Sequence, residues 1–73
     1  MILYTVEYFK NNRWNGYSGP HKNISSAICN ASVVSGCRKV HARIMENNKE
    51  VFEGNAEYWD KKLKEVETIG VGI

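Results

Sequence analysis

Proline occurs once and cysteine twice in the 73 residues, and no hydrophobic run approaches the roughly 20 residues needed to cross a bilayer. With 42% hydrophobic and 25% charged residues, this scarcity of proline excludes a disordered chain and predicts one small folded domain over 1–73. Cys29 lies within a predicted helix and Cys37 just past its end, farther apart than the span of about 7 Å that a disulfide bridges. Both are read as free thiols, and as small buried hydrophobes rather than ligands. With no CxxC pair and two scattered histidines, no metal site is expected, and no cofactor. The opening MILYTVEYFK has no basic leader before an apolar stretch. A cytoplasmic protein without membrane contact is therefore the expectation.

Charge of one sign is also lacking. The net charge is +2 at pI about 8.6, below the value of about 9 that marks dedicated nucleic-acid binders, and the lysines are interleaved with glutamates. No GxxxxGK[ST] phosphate loop occurs, and nothing gathers a nucleophile, a base and an orienting group, so the chain is not expected to be an enzyme and no catalytic residue is assigned.

What is present is a pattern of strands, turns and caps. Residues Ile2 to Phe9 alternate, with Ile2, Tyr4, Val6 and Tyr8 on one face and Leu3, Thr5, Glu7 and Phe9 on the other. Lys10-Asn11-Asn12-Arg13 has paired asparagines, which tolerate the left-handed backbone of a two-residue turn, so the strand returns through Trp14 to Ser18. That register sets Phe9 opposite Trp14 and Val6 opposite Tyr17. Ile24, Ala27, Ile28, Ala31 and Val34 then form one helical stripe from Ile24 to about Ser35, with Asn23 as N-cap and Gly36 as stop. A second hairpin runs from Val40 through Asn47-Asn48 to Glu53. It should bury Val40, Ala42, Ile44 and Val51 and turn His41, Arg43, Met45 and Phe52 to the other face. The matching turns are read as shared chemistry rather than an internal repeat. Asn55 caps a final surface helix whose apolar edge is Trp59, Leu63 and Val66, and in which Glu57–Lys61 and Asp60–Lys64 are favourable pairs. Residues 68–73 read as a loose end or an edge strand. The whole is α+β, ββαββα, an antiparallel sheet with the first helix packed on one face.

Two candidate sites follow. The join from Ser18 to Ser26 sets His21, Lys22, Ser25 and Ser26 near a helix N-terminus, where free N–H groups attract anions and where serines also serve as plain caps. The aromatic residues are the second. With Phe9 and Trp14 on one face and Tyr4, Tyr8 and Tyr17 on the other, one helix cannot cover both. Either the Trp59 helix packs over Phe9 and Trp14, or that face meets another molecule, and a small core with half-exposed tyrosines is the plainer reading set ahead of a dedicated contact surface. Trp14 and Phe52, beside Lys22, Lys39, Arg43 and Arg13, would suit single-stranded nucleic acid if they shared a face.

In size, single-domain build and lack of catalytic residues the chain is similar to the small accessory proteins with which phages and mobile elements block host machinery, host defence included. In outline, Ile2 to Ser35 also resembles the first half of HicB-type antitoxins, without their acidic turn. The first resemblance implies a non-enzymatic protein that occupies a macromolecular partner, such as a host defence protein, as an inhibitor. The alternative is a nucleic-acid or nucleotide binder using the 18–26 turn and its adjacent aromatics. The thin core, worth about 3–5 kcal/mol, and the apolar end of the chain also predict a homodimer.

Overall fold

The computed structural model describes the backbone of residues 1–71 and the side chains of residues 1–66. Its elements are β1 (Tyr4–Lys10), β2 (Arg13–His21), α1 (Ile24–Arg38), β3 (Ala42–Glu46), β4 (Lys49–Gly54) and α2 (Ala56–Val71). The four strands form one antiparallel sheet in the order β2-β1-β3-β4. α1 packs on β1, β2 and β3, and α2 packs on α1 and β4.

Local sequence explains most of this. Asn11, Asn12, Asn47 and Asn48 all have positive φ, between 49° and 73°, as a two-residue turn of this hand requires. Asn47 also receives the Leu3 N–H on its side chain, and its own N–H donates to the Leu3 carbonyl, which ties the first residues to the second turn. Replacing either asparagine pair by Val-Val forces β-branched side chains into left-handed backbone and is expected to cost about 2 kcal/mol or more. Urea midpoints equal to wild type would contradict these turns.

Asn23 caps α1 through its side chain, which accepts from the Ser25 N–H at 3.1 Å. The helix does not stop at Gly36. It continues to Arg38, and Lys39 takes the left-handed cap position at φ 55°, donating its N–H to the Ser35 carbonyl. Ala27, Ile28, Ala31 and Val34 face the core as expected. The cysteines, in contrast, lie on the outer surface of α1, both exposed and unpaired, so the expected burial was wrong. A reducing agent should leave Tm unchanged, and a thiol reagent should label both in the folded chain. Labelling that needs denaturant would contradict their exposure.

Each hairpin carries an irregularity that the alternating pattern did not foretell. In the first, Phe9 faces Trp14 as expected, but the register shifts between Glu7 and Val6, so Val6 meets Ser18 with Tyr17 extra, and again between Val6 and Tyr4, which meets His21. In the second, the shift falls between Ile44 and Met45, which leaves Val51 extra and sets Phe52 opposite Ile44. Phe52 therefore packs on the core side, not on the opposite face with Arg43. Gly19 lies in the irregular end of β2 at φ 115°, and a Cβ there would come within 2.9 Å of the Tyr4 carbonyl oxygen.

Trp59 decides how the second half closes. Its side chain is fully buried and its indole N–H donates to the carbonyls of Ala42 and Gly54 at 3.0 and 3.1 Å. Asn55 caps α2 by accepting from the Tyr58 N–H, and Asp60–Lys64 pairs at 3.3 Å. Burial, followed by the Glu65 and Glu53 carboxylates, holds the Tyr58 phenol above its ordinary pKa of 10.0. α2 continues through residues 68–71, where a loose end or edge strand was the expectation; Gly72 and Ile73 lie outside the described residues.

The halves match in plan more closely than their sequences do. Glu7 and Arg43, 36 positions apart, face each other across the β1–β3 ladder, and the same offset separates the asparagine turns. An approximate two-fold therefore passes near the Glu7–Arg43 pair. Under it, the Phe9–Trp14 pair of the first hairpin corresponds to Met45–Glu50 of the second.

Candidate functional site

Because α1 and α2 lie on the same side of the sheet, the other side is covered by no described element. The alternative in which the Trp59 helix folds over Phe9 and Trp14 is thereby overturned, since Trp59 is committed to the core with Ala42 and Gly54. The open face is built from alternate residues of the strands, with the extra residue Val51 bringing both Glu50 and Glu53 to it in β4. β1 gives Thr5, Glu7 and Phe9, β2 gives Trp14 and Gly16, β3 gives Arg43 and Met45, and β4 gives Glu50 and Glu53, with His41 just before β3.

At its centre the Arg43 guanidinium lies 4.3 Å from the Trp14 ring centroid. It pairs with Glu7 at 2.7 Å and reaches Glu50 at 3.4 Å. This half-buried guanidinium is fixed from three directions by cation–π and ionic contacts. Phe9 packs edge to face on Trp14, with ring centroids 5.2 Å apart at 68°. Beside these rings is a shallow pocket of about 330 Å³, lined by Phe9, Trp14, His41 and Glu53. The His41 Nδ1 is 2.8 Å from the Glu53 carboxylate. A second cleft, of about 460 Å³, opens where Gly16 and Gly19 leave room beside Thr5 and Glu7.

The other expected site residues are dispersed. Tyr17, at the bulge, packs edge to face on Tyr8, which also lies against the core and under the Arg38 guanidinium. Ser18 Oγ and His21 Nε2 are 3.0 Å apart. Lys22 is exposed in the loop before α1. Ser25 spends both its N–H and its hydroxyl on Asn23 Oδ1, the hydroxyl at 2.7 Å, and Ser26 is exposed with its carbonyl accepting from Asn30. Phe52 lies under the Lys62 ammonium on the helix side. Trp14 and Arg43 are thus brought together, while Ser25 is used in the α1 cap, Ser18 and His21 pair with each other, and Lys22 and Ser26 stand exposed. Of the basic set Lys22, Lys39, Arg43 and Arg13, Arg43 alone stacks on Trp14, while Phe52 lies on the helix side, Lys22 in the loop before α1 and Lys39 at its C-terminal cap.

Sequence reasoning missed Glu7, His41, Glu50 and Glu53 as members of this surface. Alternation alone places Glu7 with Phe9, His41 with Arg43 and Glu50 opposite Met45, but Glu53 reaches this face only because Val51 is an extra residue in β4. What was not available was that both helices would choose the opposite side.

Among the described residues no group of three or more His, Cys, Asp or Glu side chains could hold a metal ion, and no helix is long and apolar enough to cross a membrane. No protein-family model matches the chain, and comparison with curated proteins and with solved structures finds no match.

Proposed function

We propose that the chain is a small non-enzymatic binding protein that acts by occupying a protein partner, as an inhibitor of the kind phages and mobile elements direct at host defence proteins. The observation that carries the binding reading is the uncovered sheet face, on which the Phe9–Trp14 pair stands beside a fixed guanidinium. Phe9 is 39% exposed, and a tryptophan and an arginine held rigid at the centre of a polar rim are the residues that dominate protein interfaces. The inhibitor part rests on the likeness in size and build to such accessory proteins. A nucleic-acid or nucleotide partner is less well supported. The 18–26 turn already uses its Ser25 donors, and the open face has more carboxylates than guanidinium groups.

The test is affinity capture from a host-cell lysate, with and without nuclease, using wild type, Trp14→Ala and Lys61→Ser on the exposed side of α2. A bound protein that survives nuclease, is kept by Lys61→Ser and is lost with Trp14→Ala is the expected result. Capture abolished by nuclease would favour the nucleic-acid alternative. Capture unchanged by Trp14→Ala would remove the open face from the account.

A further inference from the structure

Resting on the open face as the binding surface, we propose that the pocket of Phe9, Trp14 and Glu53 receives an arginine or lysine side chain from a basic segment of the partner protein. The pocket is walled by two aromatic rings and bordered by a carboxylate. Such a site takes the apolar stem of a long basic side chain on its rings and the charged head at the acid. The same surface already holds one example of this pairing, because Arg43 rests on Trp14 and bonds to Glu7 and Glu50. Beside it, the Glu53 carboxylate meets the His41 imidazole and, among the described residues, no lysine or arginine.

Charge complementarity points to the same occupant. The chain as a whole carries +2, yet its open face sets Glu7, Glu50 and Glu53 against the single guanidinium of Arg43. The compensating cations stand elsewhere: Arg38 on Tyr8 and Lys39 at the end of α1, and Lys62 and Lys64 on α2. A basic segment is therefore drawn to the sheet face and repelled by the rest of the surface. A nucleic-acid backbone would be steered the opposite way. A second copy presenting the same face would repeat the carboxylate excess.

The two tryptophans make the test internally controlled. Trp14 is on the pocket and Trp59 is buried in the core, so their indole N–H resonances report binding and folding separately. Titration with tetra-arginine and tetra-lysine peptides is expected to shift the Trp14 resonance and leave that of Trp59 in place. Tetraglutamate and a single-stranded oligonucleotide should shift neither. Glu53→Gln should weaken the basic peptide about threefold by the Trp14 resonance, and Trp14→Phe by a similar factor when followed by the Phe9 and Glu53 backbone amide resonances, with Trp59 unmoved. Equal response to tetraglutamate, a response to the oligonucleotide, or peptide affinity unchanged by Glu53→Gln would overturn the proposal. So would a peptide-independent dimer that hides Trp14.

Captured partner provides the second arm. Loss with both Trp14→Ala and Glu53→Gln supports a basic side chain in the pocket. Loss with Trp14→Ala but full retention with Glu50→Gln/Glu53→Gln overturns the charge assignment while leaving the open-face reading intact. Retention with every variant overturns both.

Discussion

Trp59→Ala is expected to leave most of the chain unfolded at 25 °C. The indole is the largest fully buried side chain, and removing a buried tryptophan costs about 3–5 kcal/mol through lost transfer energy and the cavity left behind. A core of this size supplies a total of about the same magnitude, so no margin is left. The loss is compounded by hydrogen bonding, because the Ala42 and Gly54 carbonyls both accept from the indole N–H. Trp59→Phe separates the two contributions: it keeps an aromatic ring in place and removes the donor, for an expected cost of about 1–3 kcal/mol. Near-ultraviolet circular dichroism and urea denaturation measure both. A cooperative transition for Trp59→Ala with a midpoint near that of wild type would show that α2 is an accessory to the fold and not part of its core.

Gly54→Ala should be the next most damaging change, at about 3 kcal/mol, although it adds one methyl group. A Cβ at Gly54 would stand 2.6 Å from Tyr58 Cβ and closer still to the root of its ring; a change of rotamer could remove the ring, but the Cβ is fixed to the first turn of α2 and cannot swing away. The strand end and the helix must move apart. That movement also disturbs the Gly54 carbonyl on which the Trp59 indole depends. Tyr58→Ala, which removes the ring and keeps Cβ, should recover part of the loss in the double variant but not all of it. Additive costs for Gly54→Ala and Tyr58→Ala would show that the close approach of Gly54 to Tyr58 has been misjudged.

The features legible in the sequence are those fixed by neighbouring residues. The paired asparagines at 11–12 and 47–48 define turns wherever the strands go, because few other residues accept positive φ at both positions. Asn23 and Asn55 cap helices through atoms two or three residues away. The apolar stripe of α1 and the two-sided alternation of β1 follow from side-chain direction alone. Even so, Gly36 does not end α1. A glycine permits a helix to end, but the end came where Lys39 could adopt the left-handed position.

The site was half legible for a related reason. Trp14 and Arg43 belong to different hairpins, and their meeting depends on β1 and β3 pairing in the middle of the sheet, with Glu7 opposite Arg43. Nothing near either residue encodes that pairing. The plan of the halves is hidden for the same reason, since positions matched by the two-fold carry Phe9–Trp14 in one hairpin and Met45–Glu50 in the other. The shared turns and caps survive as the visible trace, because backbone geometry constrains them while the sheet surface does not.

The sequence by itself determined the order of the elements, their turns and N-terminal caps, and the parity that divides β1 and β3 into two faces, since all of these are decided within a few residues. Tertiary structure alone decided the strand order, the extra residues Tyr17 and Val51, and the side on which α2 lies. These depend on satisfying ladder hydrogen bonds across partner strands and on burying an indole whose N–H needs the carbonyls of Ala42 and Gly54. By drawing both helices to one side of the sheet, that requirement left Phe9, Trp14 and Arg43 on the other.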